Sequence, residues 1–252
     1  MITDAAERRA VKIELVVVFA VTLGMSGARS LLSLLDSLLR PGPLNQQAVA
    51  LNVPQARLDT IDLLKQLLSA TQLFAWGALG LYLLWRAGRG FARVGLDWRR
   101  PGRDALWGVG LAGLIGIPGI ALYLVGHKLG FNLTVLPSTL DETWWRPVVL
   151  TLSAAGNSFA EEVLVVGYLI TRLRQLGVRE NASLLVSAVL RGSYHLYQGF
   201  GGFIGNVVMG LVFGRVWQRT DRLWPLVFAH TLLDVVAFVG YSLLRGRISW
   251  LP

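Results

Sequence analysis

Six ionisable side chains lie within otherwise apolar runs of the C-terminal half: Glu161 and Glu162, Arg191 and His195, and His230 and Asp234. An ionisable group inside a membrane span costs about 2.5–3.5 kcal/mol on insertion scales, which makes it a functional candidate by default and structural pairing its rival. His230 and Asp234 stand four residues apart and so share a helix face, as do Arg191 and His195. At a rise of about 1.5 Å per residue, Glu161 and Asp234 sit roughly 16 Å from the ends of their runs, His230 about 10 Å and His195 about 20 Å. All four can therefore meet within one leaflet or near the midplane. A carboxylate, two imidazoles and a second carboxyl group suffice to activate water and stabilise an oxyanion. The set Glu161, His195 and His230 could equally hold a zinc ion. A proton or ion pathway uses the same residue types, and a purely structural arrangement would pair Arg191 with Glu162 and His230 with Asp234. Spacing alone leaves the four readings open.

The elements that must position these groups are apolar and long. Of the 252 residues, 54% are hydrophobic and 15% charged, with a mean hydropathy of +0.53, whereas soluble domains carry about a quarter charged residues. Runs near the length of a membrane span cover 13–35, 67–85, 105–125, 147–170, 182–197, 200–216 and 223–244. The expected fold is an all-α polytopic transmembrane helical bundle of about seven spans (six to eight) with a cytoplasmic N-terminus. It forms one membrane domain over 1–252, with accessory helices at 13–125 and the chemistry at 147–244. The fifth and sixth runs are short for a span and read as helices surrounded by protein.

Charge supports this orientation. Cytoplasmic segments would hold fifteen of the 24 lysines and arginines, and outer segments seven, among them Arg245 and Arg247. That bias is the positive-inside pattern, so the net charge of +9 reads as topology and nucleic acid is not an expected partner. Arg8, Arg9 and Lys12 precede a run too long for a signal peptide, so the first span is expected to be retained. Trp85, Trp107, Trp144, Trp145, Trp217 and Trp224 fall near span ends, as interfacial belts do. With no cysteine, neither disulfides nor thiolate metal sites contribute. The loop 36–62 is expected to pack across the outer face, and "QGFGG" at 198–202 to break a helix. Among the remaining polar groups, Asn157, Tyr194, Gln198 and Asn206 are second-tier cavity candidates. His127 reads as an ordinary interfacial histidine and Arg29 as a packing or snorkelling residue.

At the polar residues a resemblance becomes specific. "EEVLVVG" from Glu161, "RGSYHLYQG" from Arg191 and "GLVFGRVWQRTDRLWPLVFAHTLLD" up to Asp234 resemble the three motifs of the CAAX protease and bacteriocin-processing family, also called the Abi family, of intramembrane endopeptidases. The likeness extends over about 147–244 and keeps motif order and spacing. It departs twice: Val166 stands where the first motif has Arg, and Arg191 where the second has Phe. A guanidinium lost from one helix thus returns on another, and Arg191 is expected to pair with Glu162, since a lone buried carboxylate is costly.

The resemblance implies hydrolysis of a peptide bond in a membrane-embedded or lipid-modified protein or peptide, in the lipid bilayer of a bacterial plasma membrane. It implies Glu161 as the base that activates water, His195 as its partner on that water, and His230 as donor to the oxyanion. Asp234 would be protonated or would orient His230, with Glu162 and Arg191 in support. The family's prenyl-protein endopeptidases work without a catalytic metal while many relatives are labelled metalloproteases, so zinc on Glu161, His195 and His230 stays open. The competing expectation is a non-catalytic membrane scaffold or bacteriocin-immunity protein of the same fold.

Overall fold

The structure is a computed structural model, described here for residues 1–244; Arg245 and Arg247 lie outside the described residues. The first apolar run is divided into α1 (Ala5–Val21) and α2 (Leu23–Leu39), bent by 50°. Thr22 makes the corner: its hydroxyl donates to the Val18 carbonyl at 2.6 Å while its own backbone leaves helical geometry. Such back-bonding by a buried threonine bends helices. At the start, the Asp4 carboxylate caps α1 by accepting from the Glu7 N–H at 2.8 Å.

After α2 the chain forms the strand β1 (Ala48–Asn52), then two 28-residue helices, α3 (Asp59–Arg86) and α4 (Pro101–Lys128). The strand β2 (Thr134–Ser138) follows and pairs parallel to β1, Ala48 facing Thr134 and Asn52 facing Ser138. The loop 36–62 therefore contributes one strand of a two-stranded sheet that the all-helical reading did not include. Next come α5 (Arg146–Glu161), a π-helical segment Glu162–Tyr168 and α6 (Leu169–Gln175), which run on as one 30-residue span. The last helices are α7 (Glu180–Ser193), α8 (Phe200–Thr220) and α9 (Trp224–Val235), followed by a second π-helical segment Val236–Gly240 and α10 (Tyr241–Leu244).

By length and composition, five of these helical stretches can cross a membrane, or six if the bent pair α1–α2 counts as one. The fifth expected run, 182–197, already short for a span, is the 14-residue α7. At about 1.5 Å per residue it extends some 21 Å, short of the roughly 30 Å hydrocarbon layer. The break comes at Gly199, whose φ of +102° only glycine adopts without strain.

The span Arg146–Gln175 is the axis of the bundle: 61% of its apolar window is buried, against 17–33% in the other four. Its neighbours approach closely because they present glycine, as membrane helices lacking a hydrophobic drive to associate commonly do. On α3, a Cβ at Gly80 would stand 2.9 Å from the Val163 side chain of that span. Two tryptophans expected in the interfacial belt are buried instead. Trp217 sits in the core, and Trp145 donates to Asp59 at 3.0 Å.

Candidate functional site

Glu161 is the last residue of α5 and Glu162 the first of the π-helical segment. The transition replaces i→i−4 bonding by i→i−5, shown by the Leu169 N–H donating to the Leu164 carbonyl. Such π segments recur at functional sites because they re-aim side chains without ending the helix. The second π-helical segment likewise begins two residues after Asp234. Glu161 and Glu162 are buried, at 2% and 0% exposure.

Arg191, on α7, faces both carboxylates and is itself fully buried. One terminal nitrogen donates to Glu162 Oε1 at 2.6 Å and the other to Glu161 Oε2 at 3.5 Å. The pairing with Glu162 expected from the motif departures is present. Val166, at the position of the absent arginine, is fully buried among apolar side chains of the core. The compensation therefore runs between helices, from α7 to the central span.

Glu162 also anchors His230: the ring Nδ1 lies 2.8 Å from the same Oε1 that accepts Arg191. Because a carboxylate can only accept here, Nδ1 carries the proton. The other ring nitrogen, Nε2, lies 3.7 Å from Asp234 Oδ2. Asp234 in turn accepts from Asn157 Nδ2 at 3.1 Å. The residue orienting His230 is thus Glu162, while Asp234 faces the nitrogen on the opposite side of the ring.

On Glu161, Oε2 accepts from the Tyr194 hydroxyl at 2.7 Å as well as from Arg191. Among the described residues, Oε1 of Glu161 has no protein hydrogen-bond partner. His195 follows Tyr194 just beyond the end of α7, its ring 4.8 Å from the tyrosine ring, centroid to centroid. Its Nδ1 meets the Arg191 carbonyl at 3.0 Å. A carbonyl accepts only, so Nδ1 carries the proton and Nε2 keeps a lone pair for another donor.

The chain segment carrying His195 is fastened from outside. Asn132 accepts from the Gly201 N–H at 2.7 Å, and the Phe200 N–H donates to the Phe131 carbonyl at 3.0 Å. On the inner side, the Tyr197 N–H donates to Ser30 of α2 at 2.7 Å. The sequence carries no motif for this clasp. Of the second-tier candidates, Tyr194 and Asn157 touch the carboxylates. Gln198 meets only the Tyr197 hydroxyl and Asn206 bonds within its own helix, so neither reaches them.

The zinc arrangement does not fit these side chains. Among the described residues, no group of three or more His, Asp and Glu is placed to hold a metal ion. A buried guanidinium also lies against Glu161 and Glu162, and a dication beside it would meet like charge.

A buried cluster of carboxylates, imidazoles and one guanidinium, carried by the central span and its neighbours, defines an integral membrane protein with a polar site enclosed by helices. Residues 142–236 match the family model described as Rce1-like, type II CAAX prenyl endopeptidase. The matched segment contains all six ionisable candidates. That match supports, in general terms, a function of the CAAX intramembrane protease type. Comparison with curated proteins and with solved structures finds no match.

Proposed function

We propose that the chain is an intramembrane endopeptidase in which Glu161 activates water for attack on the peptide bond of a membrane-associated substrate, near a lipid-modified chain end as the matched family's description indicates. The observation that carries this reading is the unequal treatment of the two Glu161 oxygens: Oε2 is held by Tyr194 and Arg191, and Oε1 has no protein partner among the described residues. A general base needs one oxygen fixed for orientation and the other within hydrogen-bond reach of water.

In this mechanism Glu161 Oε1 takes a proton from water as the oxygen attacks the carbonyl carbon, and the carbonyl becomes an oxyanion. His195 Nε2, its lone pair free, accepts from the same water and fixes its direction. His230 donates from Nε2 to the oxyanion when both ring nitrogens carry protons, with Glu162 and Asp234 balancing its charge. Such preorganised donors are worth several kcal/mol in a water-poor site. Glu161 then returns its proton to the leaving amine as the carbon–nitrogen bond breaks. Glu162 and Arg191 take no proton in this scheme. They hold His230 and Glu161 in place.

The test is Glu161→Gln, which nearly preserves volume. Purified wild type is expected to cleave a farnesylated CAAX peptide in detergent, with the variant slowed by about 10²–10⁴-fold. Peptides compared between cells making equal amounts of either protein would reveal the natural substrate as a species that accumulates uncleaved with the variant. Equal peptide profiles and equal host phenotype would favour the scaffold or immunity role instead.

A further inference from the structure

Away from this site, where the ends of α3 and α4 meet the α8–α9 turn, two adjoining depressions open at the surface. The larger, about 630 Å³, is walled by Trp85, Phe91 and Leu96. The smaller, about 400 Å³, is ringed by Arg89, Arg93, Arg99, Arg100 and Arg222 against Asp97 and Asp221. Ala92, Arg93 and Asp97 form the wall they share. One chamber is therefore apolar and aromatic, and the next is cationic.

The cations are unequally engaged. Arg222 is bound to Asp104 and, at 3.3 Å, to Asp97; the Asp104 hydrogen bond leads in holding its guanidinium above the ordinary range. Asp97 is held below the usual carboxylate range by the Arg99 backbone N–H and by Arg222, so it stays charged and spoken for. Arg89 faces Asp221 at 4.0 Å. By contrast, among the described residues the Arg93 guanidinium meets only the Gly88 carbonyl, at 3.1 Å. Among the described residues, Arg100 forms no salt bridge. Two guanidiniums thus border the cationic chamber without a carboxylate partner among the described residues. Trp85 and Phe91 stand 60% and 54% exposed beside it.

The depressions have a fixed floor. The Leu223 and Trp224 N–H groups donate to the Val94 and Gly95 carbonyls at 3.0 and 3.3 Å. Gly95, at φ +71°, lets the linker pass against the Arg222 backbone, where any Cβ would collide. Basic pockets at the ends of membrane helices suit the head groups of anionic lipids, and aromatic residues settle at the same depth.

We propose that the paired depressions bind one anionic phospholipid, its phosphate between Arg93 and Arg100 and its acyl chains along Trp85 and Phe91. The assignment is independent of the proposed peptidase chemistry, since none of these residues touches Glu161 or its partners.

Purified full-length protein in neutral detergent is the starting material, probed with phosphatidylglycerol, phosphatidylcholine or inorganic phosphate, by native mass spectrometry and thermal unfolding. One retained phosphatidylglycerol per chain and a raised midpoint are expected, with neither effect from phosphatidylcholine or phosphate. The double variant Arg93→Gln/Arg100→Gln should weaken phosphatidylglycerol binding about thirtyfold, from the usual contribution of each basic residue near an anionic surface. Arg103→Gln/Arg219→Gln, which removes the same charge from elsewhere on the surface, should leave binding unchanged. Trp85→Ala/Phe91→Ala should weaken binding while leaving both guanidiniums in place. Equal loss in the two arginine pairs would mean diffuse attraction and overturn a discrete site. A phosphate effect matching that of phosphatidylglycerol would show an anion site with no lipid component, and equal binding of both lipids would also refute the proposal.

Discussion

Arg191 donates to Glu162 at 2.6 Å and to Glu161 at 3.5 Å, so a single guanidinium on α7 serves both carboxylates of the central span. All three side chains are buried. Removing one partner of a buried pair leaves an uncompensated charge, which is destabilising by about 3–5 kcal/mol. Arg191→Met should therefore lower the thermal midpoint sharply in detergent. Adding Glu162→Gln to that variant should recover part of the loss, because the orphaned charge goes with it. An unchanged midpoint in Arg191→Met would contradict the pairing.

Tyr194 touches Glu161 through its hydroxyl alone, at 2.7 Å. A hydrogen bond to a charged group contributes about 1.5–3 kcal/mol. If that bond orients the base, Tyr194→Phe should lower kcat on a farnesylated CAAX peptide by about ten- to a hundredfold, with KM little changed. Tyr197→Phe is the matched control, since that hydroxyl meets Gln198. Equal effects in both variants would argue against a positioning role for Tyr194.

The carboxylates share a guanidinium, and no three-residue metal cluster forms among the described residues. Dialysis against a chelator should leave peptide cleavage unchanged. His195→Ala should slow cleavage without changing the metal content of the purified protein. Loss of activity on chelation, restored by zinc, would overturn the mechanism proposed above.

A methyl group at Gly210 would stand 2.8 Å from the Ala188 Cα and 3.3 Å from the Arg191 side chain. Gly210→Val should force α8 from α7, destabilise the protein by about 1–3 kcal/mol and slow cleavage by displacing Arg191. Gly113, inside α4, has open space around it. Gly113→Ala should stabilise slightly, by up to ~1 kcal/mol, through helix propensity. Thermal unfolding of the two variants side by side checks both signs.

What could be read from the amino acids was set by burial in lipid, which acts residue by residue. Apolar runs and misplaced charges announce themselves without knowledge of neighbours, and so the helical membrane fold and the six ionisable groups were legible. The compensation between Val166 and Arg191 was legible too, because charge must be balanced wherever the chain puts it. Span number was less so: the run at 182–197 already read as short for a span, and its helix α7 ends at Ser193, before Gly199.

Partnership depended on how helices register against one another, a property of packing that no single run encodes. Spacing matched His230 to Asp234, four residues away on its own helix. In the folded chain Nδ1 of His230 turns to Glu162, 68 positions distant, because a π-helical segment starting at Glu162 aims that carboxylate at α9. Tyr194 became a partner of Glu161 for a similar reason: α7 ends one residue earlier and swings the phenol inward. The clasp by Asn132 across 199–201 joins segments that share no periodicity. Local chemistry thus marked which residues were unusual, and the close, glycine-mediated approach of the helices chose which of them meet.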